Sequence, residues 1–287
     1  MSKMSKILFP TDFSEPANNA FIYALNLAKA TDAELFVLNC YEMVVLSTTS
    51  TGNPEMVQEM YQSIELNHFE RFKEQVPLMR KTAEEHGLSD VKMTFLFEEG
   101  LLQGVIRKII DEEGIDYIVM GTNGANSLEK KLLGSNTVNI MNKIDIPILS
   151  VPNEAKFSDS KIKTIGFATM LRESDKKGIY TIAKIAEKLG ADFKCLHVLR
   201  DEKSDYDEIL NAWVAEFAPL GVTFHTVLNR DLEQSVFFFI DEYGIDVMCI
   251  VKRQMNFFEK LFSSSLSKKL AYHSYVPVFV LREEKIN

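Results

Sequence analysis

The chain has 287 residues, of which 46% are hydrophobic and 25% charged; this is a typical composition for a soluble globular protein with room for two domains. The formal net charge of −9 argues against nucleic acid or an anionic membrane surface as the main partner. A phosphate-bearing ligand stays compatible with this charge, because glycine loops and helix N-termini bind phosphate through backbone N–H groups.

The sequence also bears on location and on cysteine chemistry. It has no apolar run of the roughly 18 residues that a membrane helix needs, and its N-terminus leads straight into a predicted strand without a secretory signal pattern. Cys40, Cys195 and Cys249 lie far apart in apolar, strand-like runs, which favours buried thiols over disulfides or a zinc site. We therefore expect a cytoplasmic protein with no membrane segment.

The first predicted elements form a βαβ unit. A short apolar strand ends at Pro10, and Asp12 follows it at the edge where open parallel sheets bind their ligands. Ser14 is the expected N-cap of a helix, and a second strand is predicted over 33–40. Such units are right-handed, so the two strands are expected to be parallel.

The next predicted elements are a long helix, a strand and a shorter helix. The long helix covers 55–86, and Pro77 is expected to kink or break it. A strand over 91–98 and a helix over 103–113 follow, with Gly114 as the C-cap. Apolar residues at helical spacing predict a buried stripe along the long helix, formed by Met56, Met60, Ile64, Phe69, Phe72 and Val76.

The stretch with the clearest functional pattern is 115–152. An apolar run typical of a buried strand ends in Gly121-Thr-Asn-Gly124, and Gly134-Ser135 then precedes a helix-like run. Glycine lets backbone N–H groups approach a ligand closely, and a helix N-terminus offers unpaired N–H groups to phosphate. The pattern therefore predicts a nucleotide cradle, although ordinary turn glycines followed by a serine N-cap would look the same residue by residue.

These residues carry a resemblance to a known family. The spacing Gly-x2-Gly-x9-Gly-Ser, after a strand and before a final Pro-x-apolar strand, resembles the ATP-binding signature of the universal stress protein family. The opening Lys6-Ile-Leu-Phe-Pro-Thr-Asp-Phe-Ser14 resembles the first strand and loop of that family. The resemblance is strong over 5–152 and weaker, but continuous in order, over 160–283.

The resemblance implies a ligand and a set of residues that bind it. The ligand would be ATP, or AMP or ADP in its place, with or without Mg²⁺. Asp12 has a plainer interpretation as a turn or cap residue. The implied contacts are Pro10, Thr11 and Asp12 to the adenosine, the backbone of Cys40 and Tyr41 to the adenine, Met120, Gly121, Thr122 and Gly124 to the ribose and α-phosphate, and Gly134, Ser135, Asn136 and Thr137 to the phosphates.

The pattern of the first part of the chain starts again after a short polar linker. Residues 165–170 lie 158 positions after their counterparts 7–12, and residues 244–251 lie 130 positions after 114–121. Fixed offsets on both flanks of a 28-residue shortening indicate a tandem duplication. The predicted fold is α/β, with two tandem doubly wound parallel-sheet domains that are Rossmann-like and, by the resemblance, of the adenine nucleotide alpha hydrolase-like type.

The second copy departs from the signature. We predict an intact domain over 1–153 and a degenerate one over 160–287, in which side chains replace the bare backbone that a phosphate needs. The last strands of the two domains are expected to pair across a pseudo-two-fold, so that one chain equals a family homodimer; whether two chains also associate stays open. The substitutions are Met170 for Asp12, and Val251, Gln254 and Ser264 for the three glycines.

Sequence signatures of catalysis are absent. There is no P-loop, no dinucleotide fingerprint and no Gly-x-Ser-x-Gly elbow, and the histidines share no metal spacing. His197 lies inside a predicted strand and is expected to be a satisfied core or strand-end histidine rather than a catalytic one. The leading hypothesis is a nucleotide-binding regulatory or stress-response protein with one site and no catalytic residues. A slow ATP hydrolase or phosphotransferase and a tandem scaffold without a ligand are the alternatives.

Overall fold

A computed structural model describes residues 5–42, 54–122, 135–155, 162–199, 206–252 and 276–282. Its strands are β1 (Lys6–Pro10), β2 (Glu34–Tyr41), β3 (Met93–Glu99), β4 (Tyr117–Thr122), β5 (Ile148–Pro152), β6 (Thr164–Thr169), β7 (Asp192–Leu199), β8 (Val222–Leu228), β9 (Val247–Lys252) and β10 (Val278–Arg282). Its helices are α1 (Glu15–Thr31), α2 (Pro54–Glu85), α3 (Leu102–Ile109), α4 (Ser135–Lys143), α5 (Glu173–Leu189), α6 (Tyr206–Phe217) and α7 (Leu232–Tyr243).

These strands form one ten-stranded sheet in the order β3-β2-β1-β4-β5-β10-β9-β6-β7-β8. Strands β1–β5 are parallel to one another, and so are strands β6–β10. Each half of the chain therefore repeats one strand order, 3-2-1-4-5 in the first half and 8-7-6-9-10 in the second. The predicted α/β fold of doubly wound parallel sheets is confirmed.

The two halves meet where β5 and β10 pair in antiparallel fashion. Val278 lies opposite Ser150, Phe279 opposite Leu149 and Val280 opposite Ile148. An ion pair between Asp145 and Arg282 also joins the halves near this seam. The backbone hydrogen bonds of the sheet thus continue from one half into the other.

The helices cover both faces of the sheet, and each face has its own apolar core. One core lies under α1, α5 and α6 and includes the fully buried Phe21, Phe167 and Phe217. The other lies under α3, α4 and α7 and includes the fully buried Ile118 and Phe239. Because both cores draw residues from both halves, apolar burial reinforces the seam.

Helix α2 differs from its prediction in two ways. It runs without interruption through Pro77, so the expected break does not occur. The predicted stripe is buried at Phe72, but Met60 and Phe69 are 40% and 45% exposed. Phe69 still packs edge-on against Phe97 of β3, with ring centroids 5.6 Å apart. For Met60 the reason is length: a helix of 32 residues is about 48 Å long, whereas the seven-residue β3 beside it spans only about 23 Å. One end of the helix therefore extends past the sheet.

Candidate functional site

The strand order places a crevice between β1 and β4. These neighbours lie at the centre of the first half, and the chain leaves them toward opposite sides of the sheet. Such a switch point is where open α/β sheets bind ligands, at the carboxyl ends of the strands. Asp12 follows β1 at this edge, and Gly121 and Thr122 end β4 there.

The loop after β1 is held by its own polar groups. The N–H of Thr11 donates to the carbonyl oxygen of Leu38 at 2.8 Å, and the Thr11 hydroxyl accepts from the N–H of Phe13 at 3.0 Å. Phe13 has a φ of 61°, which lets the chain turn into α1. Asp12 is exposed, and its Oδ1 accepts from the N–H of Ser14 at 3.0 Å. Asp12 thus has the role of a turn residue while its carboxylate remains at the mouth of the crevice.

Ser14 occupies the N-cap position of α1, as predicted, but its side chain makes no capping hydrogen bond. Asn39 supplies a contact that the sequence interpretation missed: its Nδ2 donates to the carbonyl oxygen of Thr11 at 2.8 Å. This bond ties β2 to the loop that carries Asp12. The signal for it was one amide side chain within an otherwise apolar strand.

Cys40 and Tyr41 end β2 with their side chains committed to the protein. The Cys40 thiol donates to the carbonyl oxygen of Gly100 at 2.9 Å, and burial, with Glu42 and Glu98 nearby, raises its pKa to about 11. The buried Tyr41 ring lies between the rings of His68 and Phe97, with centroids 5.2 and 4.7 Å away. Both side chains are therefore engaged within the protein, and the contact of their backbone with the adenine, which the resemblance implies, stays a prediction.

Gly121 is required for packing. A Cβ on this residue would lie 2.5 Å from the carbonyl oxygen of Pro16 and 3.0 Å from the nitrogen of Ala17, both in the first turn of α1. We expected glycine here because a ligand needs bare backbone, and the structure adds a helix that needs the same space. The end of β4 and the start of α1 are consequently in direct backbone contact.

The threonines of the predicted set point into the protein. The hydroxyl of Thr137 donates to the carbonyl oxygen of Gly121 at 3.2 Å, which joins the first turn of α4 to the end of β4. Thr122 is buried, and its hydroxyl donates to the carbonyl oxygen of Val151 at 3.4 Å. Met120 is also buried. These residues can present backbone groups to the crevice, while their side chains fix its walls.

Two of the remaining predicted residues lie at the start of α4. Ser135 and Asn136 open this helix, so their N–H groups belong to the first turn, where helices leave donors unpaired. Gly124 and Gly134 lie outside the described residues. What the structure does bring together is the loop after β1, the end of β4 and the start of α4.

The corresponding loop of the second half, which follows β6, is hydrogen-bonded to the start of the next helix. Asp175, in the first turn of α5, is 1% exposed, and its carboxylate accepts from the Thr169 hydroxyl at 2.9 Å and from the N–H of Met170 at 3.0 Å. Leu171 has a φ of 53°, as Phe13 has 61° in the first half. The turn is thus retained, but a buried carboxylate fills the place where an anionic ligand would meet the helix.

His197 takes the place of Asn39 in the second half. Its Nδ1 lies 3.1 Å from the carbonyl oxygen of Thr169 and donates to it, just as Asn39 donates to Thr11. Its Nε2 is buried and has no hydrogen-bond partner among the described residues. The expected core or strand-end histidine is thus buried and bonded through Nδ1, and Nε2 is the ring nitrogen without a partner in the described structure. Burial lowers the pKa of His197 against the opposing effects of the Thr169 carbonyl and Asp175, so the ring is neutral at pH 7.

Within the described part of the chain, no group of three or more His, Cys, Asp or Glu side chains could hold a metal ion. Among the described helices, none has the length and apolar character required to cross a membrane.

Comparisons with known proteins place the chain in a family. The universal stress protein family matches residues 3–152, slightly more than half of the chain. The universal stress protein MJ0531 of Methanocaldococcus jannaschii is 30% identical over 152 residues, covering 53% of this chain and 84% of that protein. The universal stress protein MJ0577 of the same organism is 29% identical over 154 residues, covering 51% of this chain and 93% of that protein.

A solved structure extends the likeness in fold to the whole chain. A universal stress protein from Archaeoglobus fulgidus superposes with a TM-score of 0.70 at 18% identity, covering 98% of this chain and 100% of that one. This likeness is one of fold, and it includes the second half, which the family match does not reach. The chain belongs to the universal stress protein family.

Proposed function

We propose that the protein is a regulatory adenine-nucleotide-binding protein of the stress response, with one ATP site in the crevice between β1 and β4. The observation that carries the proposal is the convergence of Asp12, the end of β4 and the start of α4 on a single switch point. A helix N-terminus directed at this crevice favours phosphate without a basic surface. AMP and ADP would occupy the same position, and Mg²⁺ would accompany the triphosphate.

The proposal assigns no chemistry to the site. Among the described groups nearest the mouth, the hydroxyls of Thr122 and Thr137 donate to backbone carbonyls, and Oδ1 of the exposed Asp12 accepts from the N–H of Ser14. General-base catalysis needs a side chain that is free to take a proton from water. Binding alone, with the occupied and empty states presenting different surfaces, is the function that these contacts support.

We further propose that the domains 1–153 and 160–287 form an intramolecular pseudo-dimer with one competent and one degenerate half. The mirrored strand orders and the antiparallel pairing of β5 with β10 support this proposal. In the second half, Val251 replaces Gly121, and the buried Asp175 opposes an anion at α5. One nucleotide per chain is the expected stoichiometry.

Calorimetric titration of the full chain with ATP and Mg²⁺ tests these proposals. The expected result is one site per chain, with ADP, AMP and cyclic AMP titrated in parallel to rank the ligands. Gly124→Val should abolish binding, because a side chain would stand where the ligand needs bare backbone. Gly104→Val is the matched control, because a Cβ there meets nothing within 4 Å among the described residues.

Other results would contradict specific parts of the proposal. Two sites per chain would overturn the degenerate second half. No binding by a folded chain would overturn the nucleotide site and favour a scaffold. Phosphate release that is lost in Asp12→Asn would favour the slow hydrolase.

A further inference from the structure

Among the described residues, the two halves differ at the carboxyl ends of the strands next to the loop that follows β1 or β6. In the first half, this place is filled by the stacked rings of Tyr41 and Phe97, 4.7 Å apart. Helix α2 covers them, with Phe72 5.2 Å from Phe97. The first half thus closes this part of its sheet with aromatic rings of its own.

Smaller residues occupy the equivalent positions in the second half. Leu199 stands 158 positions after Tyr41 and takes its place. Thr226 takes the place of Phe97, because Thr226 pairs with His197 in the same register in which Phe97 pairs with Asn39. Two aromatic rings are therefore replaced by one aliphatic side chain and one hydroxyl.

The covering helix is also shorter. Helix α6 has 12 residues where α2 has 32, and it begins at Tyr206, whose ring lies 5.1 Å from that of His197. Leu228 is 53% exposed and Tyr206 41%, and Thr226 is exposed as well. We call the surface formed by Leu199, Tyr206, Thr226 and Leu228 the β7–β8 shelf.

A buried acceptor stands at the inner wall of this shelf. The Nδ1 of His197 donates to Thr169 on β6, and the two ring nitrogens point in widely diverging directions, so Nε2 is directed away from that carbonyl. In the sheet, β8 lies on the side of β7 away from β6, and the ring of Tyr206 lies 5.1 Å from that of His197. His197 is only 4% exposed, and its Nε2 has no partner among the described residues. A native protein seldom leaves such a group without a ligand, ion or water.

We propose that the β7–β8 shelf is a second ligand site, specific for a flat, uncharged and mostly apolar molecule that donates one N–H or O–H hydrogen bond to Nε2 of His197. The ring of the ligand takes the place that Tyr41 and Phe97 fill in the first half. An anion is disfavoured because the buried carboxylate of Asp175, in the first turn of α5, lies against the adjoining loop and accepts from Thr169 and Met170. An uncharged ligand avoids the cost of burying a charge.

The test uses indole, which is flat and apolar and has one N–H donor, with 1-methylindole as the matched compound without the donor. The full chain, labelled with ¹⁵N in its histidine side chains, is titrated with each compound, and the Nε2 resonance of His197 is followed by NMR. His197→Asn, which restores the residue of the first half, assigns that resonance. Indole should shift it in a saturable way, and 1-methylindole should bind about tenfold more weakly.

Two variants locate the site on the shelf. Thr226→Phe restores the aromatic residue of the first half and should remove indole binding by filling the space. Thr223→Phe is the matched control, because Thr223 is exposed on the opposite face of β8, outside the shelf, and this variant should bind indole as the unmodified chain does. Saturating ATP should change none of these results, which separates this site from the proposed nucleotide site.

Three results would overturn the proposal. The first is no saturable shift of His197 up to the solubility limit of indole. The second is equal affinity for indole and 1-methylindole, because the acceptor would then have no role. The third is unchanged binding in Thr226→Phe, because the ligand would then lie elsewhere.

Discussion

Leu149 of β5 and Phe279 of β10 face each other across the antiparallel seam, and each is the counterpart of the other, 130 positions apart. The pseudo-two-fold axis that relates the halves therefore passes between these two residues. Both are buried, at 4% exposure each, and Phe279 also packs against Tyr117 of the first half. The seam is thus an apolar joint as well as a line of backbone hydrogen bonds.

The seam predicts how the first half behaves alone. Residues 1–153, expressed without the rest of the chain, should form a homodimer in which β5 pairs with β5 around Leu149. The reason is that an uncovered apolar edge strand exposes unpaired backbone N–H and C=O groups, which a second copy can pair with. Size-exclusion chromatography with light scattering should give twice the mass of the fragment. A folded fragment that stays monomeric at high concentration would contradict the prediction.

Replacing Ser150 by alanine should stabilise the protein. This residue is fully buried in β5, and its hydroxyl has no hydrogen-bond partner among the described residues. Ser150→Ala should raise the free energy of unfolding by about 1 kcal/mol, because a buried unpaired hydroxyl is costly. Ser235 is the control: it is equally buried, but its hydroxyl donates to the carbonyl oxygen of Asp231 at 2.8 Å. Urea denaturation should show Ser235→Ala to be less stable, and a loss of stability in both variants would refute the argument.

Gly121 predicts a destabilising substitution that is independent of any ligand. Gly121→Ala should lower the free energy of unfolding by about 3 kcal/mol, because the new Cβ would overlap the backbone of Pro16. Gly104→Ala, in α3, should raise it by about 0.5–1 kcal/mol, since alanine is the better helix former and has room. Both values come from chemical denaturation without nucleotide. Equal effects in the two variants would show that the contact between β4 and α1 is not tight.

The burial of His197 should make the free energy of unfolding fall as the pH is lowered. Burial lowers its pKa in the folded state below the ordinary value of 6.5, so the unfolded chain binds the proton more readily. The contribution to stability is complete above about pH 6.5 and is lost as the pH falls toward the folded-state pKa, by at most about 1.4 kcal/mol per pH unit.

The variant His197→Asn isolates this contribution. Asparagine can donate to Thr169 as Asn39 does to Thr11, and it does not titrate. Urea denaturation at pH 7.5 and pH 5.5 should show a smaller loss of stability in the variant than in the unmodified chain. Equal losses in both proteins would mean that His197 is solvated in the folded state.

The sequence predicted the α/β fold because hydrophobic runs, turn residues and internal offsets are local signals. It predicted the burial of α2 less well, because helical periodicity at Met60 and Phe69 carries no information about where β3 ends. It located Gly121 but missed the contact with Pro16, more than a hundred residues away in sequence. Contacts of that kind depend on how two elements approach each other.

The direction of polar side chains was the second property that the sequence did not predict. Asn39 and His197 are each a polar residue near the end of a mostly apolar strand, and nothing in the local sequence says which of their atoms meets which carbonyl. The internal repeat could have linked them, because they are 158 positions apart and so occupy the same place in the two halves. Their chemistry differs all the same, since asparagine satisfies its loop whereas histidine leaves one nitrogen without a partner in the described structure.

The antiparallel joint between β5 and β10 also determines which way each half faces. Because the strands of each half are parallel among themselves, the carboxyl ends of β1–β5 and of β6–β10 lie at opposite rims of the common sheet. A molecule held at one rim cannot collide with a molecule held at the other. Two different proteins can therefore bind the two rims at the same time, and a single chain can connect those two proteins.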